Sequence, residues 1–198
     1  MSSTILSPRQ QRIRRVVSQR QSGIIVVLED IHDPHNSAAI FRTCDAFGIQ
    51  EVYLVFVEEK HYNPRKIGAS SSSSANKWLN FTRFDSTSAC IDQLRQNDFT
   101  VVATTLSSAS DSLFATDFTY DKIALLFGNE HRGLSVEACN RSDKKIIIPM
   151  SGMTQSLNVS VTAAICIFET MRQRRQTGEN YLLSTAKQRN LTADFLQR

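Results

Sequence analysis

The 198-residue sequence is poor in the residues that many binding signatures need: it has seven glycines, four prolines and four cysteines. No G-x-G-x-x-G and no G-x-x-x-x-G-K-[ST] occurs, so the sequence does not predict a common dinucleotide or nucleoside triphosphate site. The cysteines form no C-x-x-C pair, which is typical of reduced packing residues, and we expect no metal site. No apolar run reaches about 18 residues, so no membrane span is expected.

The two ends of the sequence have few acidic residues. Residues 1–28 carry five arginines and no acid, and residues 171–198 carry six basic residues against two acids. Such basic ends favour a polyanionic partner, because the planar arginine side chain suits phosphates. A solvated basic helix and an arginine-rich transit peptide are the alternatives for the first segment. Because the first residues show no apolar leader, we expect a cytoplasmic location.

The sequence does contain an alternation of strand-like and helical segments. Strands are predicted at 24–28, 52–57, 78–84, 100–106, 123–127 and 145–149, and helices at 7–21, 36–47, 88–96, 135–140 and 158–175. This alternation predicts an α/β fold with a mostly parallel sheet flanked by helices. We expect a basic helical arm over 1–22, a main domain over 23–175 and a basic helical extension over 176–198. Residues 58–76, with five consecutive serines at 70–74, are predicted to form a long polar loop.

Three polar segments follow predicted strands, at the sheet edge where ligands bind in parallel α/β proteins. In the first, NSAAIFRT, Asn36 is predicted to cap a helix, and the long side chain of Arg42 leans back towards the helix start. Arg42 could meet a phosphate or a ribose there. The alternative interpretation is a surface ion pair of Arg42 with Asp45 or Asp33.

The second segment, GNEHRGL, places two glycines around a polar turn, and Gly128 would let a ligand approach the backbone closely. The alternative is an ordinary strand–turn–helix link in which Glu130 lies near a helix N-terminus. In the third, IPMSGMTQSLNVS, Ser156 is predicted to cap a helix that is apolar almost all round, which indicates burial in a subunit interface. His32 and His35 are interpreted as solvated loop histidines.

Taken in this order, the three segments resemble the signature motifs of the SpoU (TrmH-type) branch of the SPOUT methyltransferases. The resemblance covers roughly residues 23–172, and LEDIHDPHNSAAIFRTCDAFG is similar to the bacterial tRNA guanosine 2'-O-methyltransferases. It implies S-adenosylmethionine as the cofactor, a homodimer, and a trefoil knot at the C-terminal end of the sheet. The all-serine run at 70–74 departs from the family, which mixes glycine into this loop.

The resemblance also implies the site residues. Arg42 would be the catalytic residue, supported by Asn36, Glu130, Ser156 and Asn158, and the cofactor would be held by backbone groups around Thr105, Gly128, Ile148, Met150 and Leu157. Arg42 would either act in a deprotonated form or position the 2'-hydroxyl through a neighbouring phosphate. The expected reaction is 2'-O-methylation of the D-loop guanosine of tRNA. The alternatives are ribosomal RNA or the tRNA wobble nucleotide as substrate, and a non-catalytic RNA-binding module.

Overall fold

A computed structural model describes residues 6–67, 75–178 and 181–198. The predicted serine loop at 70–74 lies outside these residues. The strands are β1 (Ile24–Glu29), β2 (Glu51–Val55), β3 (Asn80–Phe84), β4 (Thr100–Thr104), β5 (Asp111–Ser112), β6 (Ile123–Phe127) and β7 (Lys144–Ile147). The helices are α1 (Pro8–Val17), α2 (Pro34–Ala46), α3 (Thr87–Gln96), α4 (Val136–Arg141), α5 (Val159–Gln176) and α6 (Thr185–Gln197).

The strands form one sheet in the order β3-β2-β1-β6-β4-β7-β5, and all of its described pairs are parallel. The α/β prediction is therefore confirmed. The continuous apolar run of β1 is buried along its whole length because β1 pairs with β2 on one side and β6 on the other. The two-residue β5 was not predicted, since so short a strand has no periodicity to detect. The pairing of the strands does not by itself establish the knot, which stays a prediction.

Helices cover both faces of the sheet. Alternate residues of β1 point to opposite faces: Val26 packs with α2 and α5, whereas Val27 packs with α3 and α4. The two halves of the core are therefore separated by the sheet, and α2 lies beside α5. The helix that follows β1 in the chain therefore contacts the helix that follows β7.

Two predicted helix caps are wrong. Asp33, not Asn36, caps α2 by accepting a hydrogen bond from the backbone N–H of His35 at 2.8 Å, and Pro34 occupies the first helical position. Asn158, not Ser156, caps α5 by accepting from the N–H of Ser160 at 2.8 Å. In both cases a short side chain immediately before the helix reaches the free N–H groups of its first turn. Asn36 therefore lies inside α2, where its amide is free to bind elsewhere.

The basic helices at the two ends of the chain pack against each other. Ile13 and Val17 of α1 meet Phe195 of α6, and α1 ends at Val17 rather than near 21. Two basic residues of these ends are internal. Arg20 is fully buried and pairs with Asp45, whereas Arg174 is 1 % exposed and donates to three backbone carbonyl groups. These two arginines are therefore not available to bind phosphate.

Across the three described stretches, no helix combines the length and the apolar character that crossing a membrane needs. The same stretches contain no group of three or more histidine, cysteine, aspartate or glutamate side chains arranged to hold a metal ion. All four cysteines are free, and three of them are buried.

Candidate active site

The three polar segments meet because the strands before them are parallel and lie close together in the sheet. β1 precedes the loop to α2, β6 precedes the loop to α4, and β7 precedes the loop to α5. β1 pairs with β6, and β7 lies two places further on, beyond β4. All strands are parallel, so these loops emerge at the same edge.

Glu130 joins the loop after β6 to the start of α2. One carboxylate oxygen accepts from the backbone N–H of His32 at 2.8 Å, and the other accepts from the N–H of Asp33 at 3.1 Å and from the Asn36 side-chain amide at 2.7 Å. A carboxylate at a helix N-terminus is further stabilised by the helix dipole. The carboxylate is thus fixed by donors from a single short stretch of chain.

These contacts also set the ionisation of Glu130. Partial burial on its own would raise the pKa of this carboxyl, but the hydrogen bonds from Asn36, His32 and Asp33 outweigh burial, so its pKa is lowered. Glu130 is therefore held ionised. In this form it acts as an acceptor and an electrostatic anchor rather than as a proton donor.

Asn36 carries the connection on to the third segment. While its amide nitrogen donates to Glu130, its carbonyl oxygen accepts from the side-chain amide of Asn158 at 3.0 Å. The carbonyl oxygen of Asn158 accepts from both the N–H and the hydroxyl group of Ser160. Glu130, Asn36 and Asn158 therefore form one hydrogen-bonded chain across all three motifs, which the sequence alone could not show.

Arg42 and Ser156 lie outside this chain. The Arg42 side chain is exposed and makes neither a hydrogen bond nor an ion pair with any residue in the described part of the structure. Its two alternative partners are occupied, since Asp45 binds Arg20 and Asp33 caps α2. The surface ion-pair interpretation of Arg42 is therefore wrong. Ser156 is likewise exposed, with no hydrogen bond to the described residues.

Four of the five predicted cofactor residues line one cavity between β4, β7 and α5. The four are Thr105, Ile148, Met150 and Leu157. The cavity is about 30 Å³, which suffices for a water molecule but not for a ligand of cofactor size. To admit such a ligand, the wall formed by residues 148–157 has to move outwards.

The segment 148–157 fits a ligand-binding role. Its residues form no hydrogen bond, from backbone or side chain, with the described part of the chain. The backbone N–H and C=O groups are consequently available, while Ile146, Ile148 and Leu157 supply apolar walls. Free backbone groups beside an apolar surface suit an adenosine-like group, which has a flat face and polar edges.

Gly128 is not part of this cavity, and the structure gives a different reason for its glycine. A Cβ atom there would lie 2.3 Å from the backbone carbon of Gly133 and 2.3 Å from the nitrogen of Leu134. Asn129 and Gly133 close the turn by two backbone hydrogen bonds, and Gly133 has a φ of +71°. The group that approaches Gly128 closely is therefore the backbone of the protein's own turn, and this turn positions Glu130.

Sequence reasoning missed several residues around this site. His32 is not simply a solvated loop residue, because its backbone binds Glu130 and its ring binds Glu59 at 3.0 Å. The buried side chain of Asn129 donates to the backbone carbonyl of Asp30 at 2.7 Å. These contacts join residues 27 to 99 positions apart, so local patterns in the sequence carry no signal for them.

A parallel α/β sheet with three connected polar loops and an open backbone segment at one edge is the arrangement of a ligand-binding α/β protein. The SpoU rRNA Methylase family model matches residues 23–168. The chain belongs to this SpoU methylase family.

Three known proteins illustrate the similarity. The tRNA (guanosine(18)-2'-O)-methyltransferase of Thermus thermophilus is 37% identical over 195 residues, covering 96% of both chains. The crystal structure of an A. aeolicus TrmH/SpoU tRNA modifying enzyme is similar with a TM-score of 0.85 and 35% identity, covering 94% of both chains. The SpoU methyltransferase AviRb of Streptomyces viridochromogenes, in complex with AdoMet, has a TM-score of 0.69 and 27% identity, covering 81% of this chain and 61% of its own.

The ionised state of Glu130 predicts a pH dependence of stability. Its folded-state pKa is lowered, so its contribution is fully present above its ordinary value of about 4.5 and is lost as the pH falls through the lowered value. We expect the melting temperature of the wild type to exceed that of Glu130→Gln at pH 7. The difference should shrink between about pH 5 and pH 3. A difference that is constant over this range would contradict the ionised anchor.

Proposed function

We propose that the protein transfers a methyl group from S-adenosylmethionine to the ribose 2'-hydroxyl of the D-loop guanosine at position 18 of tRNA. The observation that carries this proposal is the joining of the three motifs through Glu130, Asn36 and Asn158 at one sheet edge. The similarity to tRNA (guanosine(18)-2'-O)-methyltransferases over nearly the whole chain supports the choice of substrate.

The residues that would hold the cofactor are the cavity residues Thr105, Ile148, Met150 and Leu157. Gly128 is left out of this set, because its missing side chain makes room for its own turn. When bound, the sulfonium group supplies an activated methyl group. The contribution of the chain is alignment: the apolar walls place the donor, and the site holds the ribose oxygen in line with it. Calorimetry with S-adenosylmethionine separates this enzyme from a non-catalytic RNA-binding module, for which no heat of donor binding is expected.

Arg42 is assigned to positioning the RNA. Guanidinium groups stay protonated in essentially every protein environment, so Arg42 is a poor acceptor for the hydroxyl proton. Because Arg42 is exposed and has no partner among the described residues, the N–H groups at the edge of its planar guanidinium are available to a phosphate beside the reacting ribose. Ser156, in the third motif, is also exposed and has no hydrogen bond to the described residues. The hydroxyl proton would then leave to the RNA phosphate or to solvent.

Replacing Arg42 tests this assignment. We expect Arg42→Ala and Arg42→Lys both to lose nearly all turnover, since lysine keeps the charge but not the planar fork. Donor binding should stay normal, because Arg42 is not among the residues that line the cavity. The measurement is single-turnover methyl transfer at saturating tRNA, so that weak binding is not mistaken for slow chemistry. Transfer by Arg42→Ala at the wild-type rate would show that the hydroxyl is activated by another group.

The exposed basic residues of the terminal helices are proposed to bind tRNA phosphates. On α1, Arg12, Arg14 and Arg15 are exposed and have no partner in the described structure. Arg15 shares a groove with Arg175 of α5, which brings the two basic ends of the sequence to one surface. Phosphates bound there would lie beside the C-terminal end of α2, the helix that carries Arg42.

The contribution of α1 is best tested by substitution, because deleting residues 1–22 would uncover the apolar surface of α6. We expect the triple variant Arg12→Gln, Arg14→Gln, Arg15→Gln to bind tRNA more weakly. The slope of log K against log salt should fall by up to about 2–3, since each lost phosphate contact removes roughly 0.9. Filter binding over a salt series measures this. An unchanged slope would leave α1 as a solvated basic helix.

We further propose a homodimer through α5. One face of α5 is buried, but Val161 and Phe168 on the other side are 46% and 56% exposed, beside Ala39, Thr43 and Phe47 of α2. An apolar strip of this kind is suited to an isologous contact with a second copy. Light scattering should give twice the chain mass for the wild type and a monomer for Phe168→Glu. A monomeric wild type at micromolar concentration would contradict the dimer.

The expected division into a basic arm, a methyltransferase domain over 23–175 and a basic extension is kept as part of this proposal, as are the knot and the cytoplasmic location. The packing of α1 on α6 supports treating the two basic ends as one RNA-binding unit. Limited proteolysis would test this, since a single unit is expected to protect both ends together.

A further inference from the structure

The turn that follows β2 belongs to none of the three motifs, yet it is fixed to the same sheet edge. Asp30, at the end of β1, has a φ of +50° and is 8% exposed. Its carboxylate accepts hydrogen bonds from the backbone N–H groups of Val57, Glu58 and Glu59 at 2.8, 3.1 and 3.2 Å. The buried carboxylate of Asp30 thus pairs three consecutive N–H groups and ties this turn to the end of β1.

This turn presents Glu59 to both loops of the site. One oxygen of its carboxylate lies 3.0 Å from Nδ1 of His32, in the loop after β1. The other oxygen lies 3.2 Å from Nη2 of Arg132 and 3.3 Å from Nδ2 of Asn129, both in the loop after β6. The side chain of Glu59 is only 19% exposed, so these contacts are partly shielded from solvent.

Both loops held by Glu59 carry residues of the connected chain. His32, whose ring binds Glu59, donates its backbone N–H to Glu130. Arg132, the other partner, lies two residues after Glu130. Displacing His32 would therefore move a donor of Glu130, and Glu130 in turn holds Asn36 and through it Asn158.

We propose that Glu59 is a positioning residue for the methyl transfer, which fixes Glu130 and Asn36 by holding His32 and Arg132 together. The inference rests on the proposed function for its catalytic readout. Glu59 touches neither the cavity nor Arg42, so it acts through the other residues.

The electrostatics of His32 agree with this role. The hydrogen bond and charge of Glu59 raise the pKa of His32, with smaller contributions from Glu130 and Asp33, and the His131 ring lies 5.8 Å away. Protonated His32 forms the stronger, charge-assisted bond to Glu59. This contact is therefore strongest below the raised pKa of His32 and weakens as the pH rises through it.

Glu59→Gln tests the proposal, with Glu58→Gln as its matched control. Glu58 comes from the same turn and pairs with Arg132 at 2.9 Å but does not contact His32, and its side chain is 64% exposed. We expect Glu59→Gln to lower the single-turnover rate on the order of tenfold, with donor affinity and KM for tRNA unchanged. Glu58→Gln should stay within about twofold, as exposed ion pairs contribute little. If Glu59→Gln also stays within twofold, the proposal is wrong.

A double-mutant cycle with His32→Ala identifies the route. If Glu59 acts through the His32 ring, the rate losses of the single variants should not add in the double variant. Additive losses would overturn the route through His32. NMR titration should show the pKa of His32 falling in Glu59→Gln, since the residue that raises it has lost its charge.

Two measurements separate this inference from folding and from the proposed function. If Glu59→Gln unfolds, Glu59→Asp is used instead, because it keeps the charge on a shorter side chain. Its rate is compared with that of the wild type at a temperature where its circular dichroism spectrum is native. Should the wild type transfer no methyl group, the proposed function fails. The ¹⁵N resonance of the Asn36 side-chain amide still tests the positioning role of Glu59, because it does not depend on activity. This resonance should shift in Glu59→Gln and should not shift in Glu58→Gln. An unshifted resonance would contradict the positioning role.

Discussion

The candidate site depends on one carboxylate placed at the start of one helix. Glu130 accepts three hydrogen bonds from the stretch 32–36, so the loop after β6 cannot shift without breaking contacts to α2. The hydrogen bonds and the helix dipole both stabilise the ionised form of the Glu130 side chain. The site is thereby tied to a strand pair, β1 and β6, in the middle of the sheet.

Two polar residues at the start of α2, Asp33 and Asn36, have different roles. Asp33 caps α2, which leaves Asn36 with an uncommitted amide inside the first turn. An amide both donates and accepts, so Asn36 can bind Glu130 and Asn158 at once, whereas an aspartate at this position could only accept. An acid there would also place a second negative charge 2.7 Å from Glu130. Position 36 therefore needs an amide side chain, because one partner requires a donor and the other requires an acceptor.

The sequence predicted the sheet, the flanking helices and the three motif segments because these follow from local patterns of apolar and polar residues. The bounds of β6 are those predicted, and other strands differ by a few residues at their ends. The predicted helix caps were wrong where two residues that can cap a helix lie within four positions of each other, as Asp33 and Asn36 do. The contacts of Glu59 and Asn129 could not be predicted, because they depend on which loops the strand order brings together.

The arginines show most clearly where sequence reasoning ends. Arg174 and Arg175 are neighbours of the same type on α5, yet Arg174 is buried against three carbonyl groups and Arg175 is exposed. Successive helical residues point about 100° apart, so one faces the core and the other faces solvent. The total charge of a segment therefore overstates the charge available to RNA. Only arginines whose donors lack protein partners, such as Arg42 and Arg15 within the described chain, can form new bonds to phosphate without first losing existing ones.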